Sequence, residues 1–169
     1  MVIGWLFAYW AATPGVGVAT EASVRLDLDN EPQPDAALLI KPEHGGQVTV
    51  SADDYLEGAP ELVVEVSSST VSIDVNQKLN IYRRNGVREY VVWRVRDRRI
   101  DWFELRDGEY VRLDPGEDGI LRARVFPGLW LDFEAMLRCD PTALLETLRK
   151  GTTSPEHARF VEELAAQKR

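Results

Sequence analysis

The sequence predicts one α/β domain followed by a helical tail, and three patterns in the chain support this fold class. Two short apolar runs, residues 34–40 and 61–66, are rich in strand formers and are bounded by proline, glycine or serine, which is typical of buried strands. Residues 74–86 carry the spacing and end signals of a helix. Two later segments begin with an N-cap residue followed by proline, at Asp140 and Ser154, which predicts two C-terminal helices.

The first half of the chain supplies three predicted strands and two predicted helices. Residues 1–12 carry no charge and predict a core helix that ends at Thr13 to Gly15. Residues 23–28 alternate with period two, the pattern of a half-buried strand. The two buried strands at 34–40 and 61–66 are separated by a polar loop.

The helix after the second buried strand has clear boundaries and one buried stripe. Asp74 is placed as its N-cap and Gly86 as its C-terminal stop. Val75, Leu79 and Tyr82 follow the i, i+4, i+7 spacing of a buried face. We therefore expect these three side chains to pack on the sheet.

Beyond Gly86 the pattern returns to strands before the helical tail begins. Asp107-Gly108 is a strong hairpin signal. The predicted strands of this region cover residues 88–95, 99–105, 110–113 and 121–126.

Composition and charge limit the classes of function. The chain has 169 residues, of which 44% are hydrophobic and 28% charged, an ordinary balance for a globular domain. Its net charge of -8 argues against a protein that coats nucleic acid, because phosphates are bound by Lys and Arg. Any nucleic-acid contact must be local, and the densest basic run, residues 94–99, is either such a contact or the solvated tip of a hairpin.

The cysteine count and the N-terminus bear on the compartment. Cys139 is the only cysteine, which excludes an intramolecular disulfide and a multi-cysteine zinc site, so we expect a cytoplasmic protein. The uncharged residues 1–12 are too few for a membrane span, which needs about 20 apolar residues. They also lack the basic start of a signal peptide, so no membrane association is expected.

Two carboxylates stand at the ends of the two buried strands. Asp35 lies at the head of the first strand, and Glu65 lies near the close of the second. If these strands pair, the two carboxylates converge on one point, which is how a Mg²⁺ site is usually built. Lys78, on the helix that follows, is long enough to reach the same strand ends.

An ordered set of residues resembles the Uma-type (Uma2, DUF820) family of restriction-endonuclease-like proteins, a branch of the PD-(D/E)XK nuclease superfamily. The similarity covers residues 1–137, interpreted as a nuclease-like domain, and leaves residues 138–169 as a helical extension. It implies a mixed α+β sheet with flanking helices. The residues that carry it are Pro34-Asp35, 59–67, Asp74, Lys78, Tyr82, Gly86-Val87, Glu89-Tyr90 and 127–129.

The resemblance also implies a chemistry and a set of site residues. A nuclease of this family would hydrolyse phosphodiester bonds of nucleic acid, with DNA as the expected substrate. Asp35, Glu65 and the backbone carbonyl of Val66 would hold Mg²⁺ or Mn²⁺, and Lys78 would be the catalytic lysine, because Ser67 stands where the superfamily motif has one.

Two further residues have supporting roles under this resemblance, and both have simpler ones. Asp74 and Tyr82 would contact the metal ligands and hold them in place without contacting the metal. Capping of the helix and packing of the core are the alternatives. Each of the catalytic residues taken singly also has a structural interpretation: Asp35 capping a turn, Glu65 pairing with an arginine and Lys78 lying solvated on its helix.

The N-terminus departs from the family pattern and keeps other hypotheses open. Family members usually carry a further N-terminal segment. We therefore expect either that the start is shortened or misassigned, or that this chain is a reduced member with exposed apolar surface that a second copy covers. A homodimer is therefore expected. The main alternative is a catalytically inactive, nuclease-fold interaction module; a third hypothesis is a metal-dependent hydrolase of a small nucleotide.

Overall fold

A six-stranded mixed sheet with the strand order β1-β3-β6-β7-β8-β9 forms the centre of the fold. The computed structural model describes residues 1–27, 31–53, 55–68 and 72–168, and of residues 72–75 it describes the backbone. The helices are α1 (Val2–Ala12), α2 (Ser72–Arg84), α3 (Phe133–Leu137), α4 (Pro141–Thr152) and α5 (Pro155–Ala166).

The strands fall into the central sheet and two small ones. The central sheet holds β1 (Val16–Thr20), β3 (Ala36–Ile40), β6 (Leu62–Ser67), β7 (Glu89–Arg94), β8 (Arg99–Arg106) and β9 (Glu109–Leu113). A three-stranded sheet joins β2 (Val24–Arg25), β4 (Thr49–Val50) and β5 (Leu56–Glu57), and a hairpin joins β10 (Ile120–Arg122) and β11 (Trp130–Asp132). This α/β architecture with a mixed sheet and flanking helices confirms the predicted fold class.

Within the central sheet only β6 and β7 run parallel, and α2 connects them. A parallel pair requires such a crossover, because a tight turn can join only antiparallel neighbours. The carboxyl ends of β6 and β7 therefore meet at one edge of the sheet. The antiparallel strand β3 begins at that edge, next to the end of β6.

Alternation along the strands separates the sheet into two faces. The α1 face carries most of the core: its strand residues pack with α1, the β10–β11 hairpin and the C-terminal helices, and they include Leu38, Leu62, Val64, Val91 and Trp102. The α2 face packs against α2 in a smaller cluster that contains Ala37, Val63, Tyr82, Tyr90 and Val92. Residues two apart on one strand share a face, which assigns every side chain discussed below.

The predicted end signals of several elements are confirmed. The Asp140 side chain accepts from the backbone N–H of Ala143, and the Ser154 side chain accepts from that of His157. Both residues of the β8–β9 turn, Asp107 and Gly108, have positive φ, as a tight type I′ hairpin requires. Gly86 has φ +83° directly after α2, where only glycine reverses the helix without strain.

Three predicted elements differ from the structure. The strand predicted at 23–28 covers only Val24–Arg25, and its last residue lies outside the described ones. The strand predicted at 121–126 ends at Arg122, because the chain turns there toward β11. Helix α2 starts at Ser72, so Asp74 lies within its first turn and is not the N-cap.

The N-terminal and C-terminal helices share one core. Trp5, Leu6 and Tyr9 of α1 are buried together with Leu144 and Leu148 of α4. Phe160 and Leu164 of α5 belong to the same cluster. In the described part of the chain, no helix has the length and apolar character needed to cross a bilayer.

Candidate active site

Asp35 and Glu65 lie on neighbouring strands at the same edge of the central sheet. The β3–β6 ladder ends at the pair Ala36 and Val64, so Asp35 and Glu65 are the next residues on each side. The backbone N–H of Val66 donates to Oδ2 of Asp35 over 2.6 Å. Immediately before the first residue of β3, the Asp35 carboxylate thus accepts a hydrogen bond from the backbone of β6. This bond fixes the carboxylate beside the strand that carries Glu65.

Pro34, the residue before Asp35, leaves the Val66 carbonyl without a backbone donor from the neighbouring strand. One step beyond the ladder, the register places Pro34 opposite Val66. The carbonyls of Glu61 and Ser67 accept from β7, so those of the alternate residues, including Val66, point toward β3. Proline has no N–H, and position 34 therefore offers the Val66 carbonyl no donor. This carbonyl points to the same edge as the two carboxylates.

Glu65 is almost fully buried, with 7% of its surface exposed, and both of its carboxylate oxygens are hydrogen-bonded. Nζ of Lys78 donates to Oε2 over 2.8 Å. The Tyr82 hydroxyl donates to Oε1, also over 2.8 Å. Both donors come from α2, one helical turn apart. The helix that connects β6 to β7 therefore places two of its side chains against the end of β6.

The two donors differ in their access to solvent. The Lys78 side chain is 41% exposed, so its ammonium reaches both the buried carboxylate and the outside. The Tyr82 side chain is fully buried, and burial together with the charge of Glu65 raises its pKa. Tyr82 therefore stays protonated and serves as a fixed donor that orients Glu65.

The structure brings together five of the six residues that the sequence singled out. Asp35, Glu65, Val66, Lys78 and Tyr82 meet at the carboxyl end of β6. The side chain of Asp74, the sixth residue, lies outside the described ones. Their catalytic roles stay predictions, because a shared position alone assigns no reaction.

The atoms at this edge are oxygen donors, which suit a hard cation. Two carboxylates and one carbonyl are ligands typical of Mg²⁺ or Mn²⁺. Each carboxylate oxygen that accepts one hydrogen bond keeps a further lone pair. Among the described residues no group of three or more His, Cys, Asp or Glu side chains could hold a metal, so a cation here would keep several waters. The donor set fits Mg²⁺ in that hydrated form.

Sequence reasoning missed one polar group of this edge. The Tyr90 side chain is buried on the α2 face against the Tyr82 ring, with 5.0 Å between ring centroids. Its hydroxyl has no hydrogen-bond partner in the part of the chain that is described. Burial raises its pKa, and the charges of Glu65 and Asp35 add to the rise. Period-two alternation from Val92 could have placed it on this face.

Comparisons with known proteins identify the family of the chain and a similar fold among solved structures. The family model Uma2, described as "Putative restriction endonuclease", matches residues 2–134. A search of the curated proteins gives no match. The fold is similar to the crystal structure of a "putative nuclease belonging to DUF820" from Anabaena variabilis, with a TM-score of 0.56 and 10% identity over 89% of this chain and 77% of that one. The chain therefore belongs to the Uma2 family, and it shares the fold of that DUF820 protein.

Proposed function

We propose that the protein is a metal-dependent endonuclease that hydrolyses phosphodiester bonds of DNA, with Mg²⁺ or Mn²⁺ held by Asp35, Glu65 and the Val66 carbonyl. The observation that carries this proposal is the buried Glu65 carboxylate, bonded to an ammonium that also reaches solvent. A charged group is buried at this cost only where partners compensate it, and here those partners are the Lys78 ammonium and the Tyr82 hydroxyl.

A divalent cation would add what the side chains cannot supply. When bound, it lowers the pKa of a coordinated water and offsets the negative charge of the phosphate. Asp35 and Glu65 lie on adjacent strands, so neither needs to move far to share one ion. The hydrogen bond from the Val66 N–H keeps Asp35 in place.

Lys78 would work on the substrate side of this site. Its ammonium lies 2.8 Å from Glu65 and its side chain is 41% exposed, so a phosphate bound at the carboxylates would lie within its reach. A positive charge placed in advance stabilises the charge that develops on the phosphate oxygens during hydrolysis. The Tyr82 hydroxyl holds the other Glu65 oxygen and preserves the orientation of this carboxylate while Lys78 engages the substrate.

The proposal is tested by cleavage of DNA and RNA in Mg²⁺ or Mn²⁺. We expect the wild-type protein to cut DNA, and we expect Lys78→Ala to cut about 10² to 10³ times more slowly, since removal of one charge-stabilising donor has that effect. Lys150→Ala is the matched control, because Lys150 is an exposed lysine on α4. Equal cleavage by wild type and the Lys78 variant would exclude Lys78 from catalysis.

A second function, a catalytically inactive interaction module that forms a homodimer, is favoured by the exposed side of α1. Ile3, Phe7 and Trp10 are between 37% and 42% exposed, and the rings of Phe7 and Trp10 contact each other at 5.9 Å. An apolar helix side of this kind can pair with a second copy. Sedimentation of the wild type and of Phe7→Glu separates the two functions: a dimer that the substitution dissociates, without cleavage of nucleic acid, would favour the module.

A further inference from the structure

A second charged group lies on the α2 face, two strands from the acidic site. Asp101 of β8 is buried, with 1% of its surface exposed, and three arginine side chains surround it. We call Arg94, Arg99 and Arg112 the arginine cluster. Their distances to the Asp101 oxygens are 3.2 Å, 2.8 Å and 3.1 Å in that order.

The arginine cluster carries more positive charge than Asp101 needs. A single cation compensates one carboxylate, and here three guanidinium groups meet at one. Asp114, an exposed residue, lies 3.4 Å from Arg112 and offsets part of the surplus. What remains is a local positive site on a chain whose net charge is -8. Arginine forks of this kind match the geometry of a phosphate.

The polar atoms that lack partners gather at the same place. Among the described residues, the buried side-chain atoms without a hydrogen bond are Tyr90 Oη, Arg94 Nε and Asp101 Oδ2. All three belong to side chains of the α2 face. Arg94 Nε and Asp101 Oδ2 attract each other as an ion pair without the geometry of a hydrogen bond. Buried groups left unsatisfied cost free energy, and a ligand that supplies acceptors would satisfy the two donors among them, Tyr90 Oη and Arg94 Nε.

Register places the arginine cluster beside the acidic site. Glu65 pairs with Val92 of β7, and Val92 pairs with Asp101 of β8. With about 4.8 Å between neighbouring strands, Glu65 and Asp101 lie roughly 10 Å apart. Tyr90 lies on the strand between them, two residues before Val92 and on the same face. A nucleic-acid strand rises about 3.4 Å per nucleotide, so the spacing corresponds to about three nucleotides.

We propose that the arginine cluster binds a backbone phosphate of the nucleic-acid strand that is cut, a few nucleotides from the bond at the Asp35 and Glu65 site. Asp101 acts as a positioning residue, since it holds the guanidinium groups in place before the substrate arrives. Binding at two points along one strand fixes the register of the scissile bond. This inference depends on the proposed nuclease function and adds a substrate contact to it.

The test measures the affinity for a short labelled DNA duplex as a function of salt concentration. All proteins carry Glu65→Gln, so that the duplex is bound without being cut. Each phosphate contact that is lost makes the slope of log K against log salt shallower by about 0.9. We expect Arg99→Gln and Arg112→Gln each to show that change and to bind roughly threefold to tenfold more weakly at moderate salt.

Arg106→Gln is the matched control. The Arg106 side chain lies on the same strand as Arg99, pairs with an acid two residues away over the same 2.8 Å and is equally exposed, at 50%. It points to the α1 face, so its loss is expected to leave both affinity and slope unchanged. Arg99→Lys retains the charge and is expected to retain the slope. Urea unfolding of each variant excludes loss of fold as the cause.

The outcomes separate this inference from the function on which it depends. If wild type cuts DNA and the Arg99 and Arg112 variants bind with the slope of the control, the arginine cluster does not contact phosphate and the nuclease proposal stands. If the parent protein binds neither DNA duplex nor single strand, both proposals fail. A slope that falls equally for Arg106→Gln would show a general charge effect and would also overturn the inference.

Discussion

The two faces of the central sheet each bury a glutamate, and the partners of these two residues differ in kind. On the α1 face, Glu89 accepts from the Trp102 indole and from the backbone N–H groups of Arg124 and Val125. On the α2 face, Glu65 accepts from a lysine and a tyrosine. Glu89 is enclosed by neutral donors, whereas Glu65 lies against a cation that reaches solvent.

This difference distinguishes a structural acid from a candidate catalytic one. Three donors that come from the sheet and the loop after β10 make Glu89 a link between these segments. Burial raises its pKa to about 7, so neutral donors only partly offset the loss of solvation. Glu65 lies at the sheet edge where β3 begins, and the side chain of its partner Lys78 is 41% exposed. The α1 face therefore stabilises the fold, and the α2 face holds the candidate site.

The largest expected effect is loss of stability from the α1 face. Trp102→Ala removes a fully buried ring that packs edge-on against Trp5, with 6.1 Å between ring centroids. It also removes the indole N–H that donates to Glu89. We expect a loss of about 3–5 kcal/mol in the free energy of unfolding, measured with urea. Trp10→Ala is the control, because Trp10 is 42% exposed on α1. Similar losses for both variants would contradict the assignment of the core to this face.

The second effect is a pH dependence that originates in Glu89. Its pKa is about 7 in the folded chain against an ordinary 4.5, so between these values the folded state binds more protons than the unfolded one. Stability is then highest at low pH and falls as the pH rises through this window, by about 3 kcal/mol in total. We expect Glu89→Gln to remove this fall when urea unfolding is compared from pH 4 to pH 8. Parallel pH profiles of wild type and variant would contradict it.

A smaller effect is expected from the tyrosine that holds Glu65. Tyr82→Phe keeps the ring and removes the hydroxyl donor to a charged oxygen, at a cost of about 1.5–3 kcal/mol in unfolding free energy. The control is Tyr110→Phe, whose hydroxyl donates to the neutral Val87 carbonyl over 2.9 Å and whose loss costs about 1 kcal/mol. A Tyr82 variant as stable as wild type would mean that Glu65 does not depend on this bond.

The smallest effect is expected at Tyr90, on the same face. Its buried hydroxyl makes no hydrogen bond in the described part of the chain, so Tyr90→Phe removes an unsatisfied group and leaves its ring contacts with Tyr82 in place. We expect the free energy of unfolding to change by less than about 0.5 kcal/mol, or to increase. A loss comparable to that of Tyr82→Phe would show that the hydroxyl already has a partner in solution.

Much of the fold follows from local signals in the sequence. Buried strands, the helix caps at Asp140 and Ser154 and the Asp107-Gly108 turn depend on neighbouring residues alone, and these predictions are confirmed. The short strands β4 and β5 were harder to predict, because pairing of β5 with β2 and of β4 with β5, and not a periodic pattern, creates them. Helix α2 starts earlier than its best capping residue, which shows that tertiary context can override a local start signal.

The candidate site was predictable in part. Asp35, Glu65 and Lys78 stand out because charged residues interrupt or adjoin apolar runs. The hydrogen bond between Asp35 and the Val66 N–H depends on the register of β3 and β6, which no local pattern specifies. The meeting of Arg112 with Asp101 likewise requires the pairing of β8 with β9. Side-chain contacts between neighbouring strands therefore could not be predicted from the sequence alone.

The central claim, a divalent-metal site on the α2 face, is tested most directly by calorimetric titration of Mn²⁺ or Mg²⁺. Wild type and Glu104→Gln, an acid of β8 on the α1 face, are expected to bind one ion with the same affinity. Glu65→Gln is expected to give no binding heat, because the substitution replaces a carboxylate ligand with a neutral amide. Equal titrations of wild type and the Glu65 variant would contradict the account.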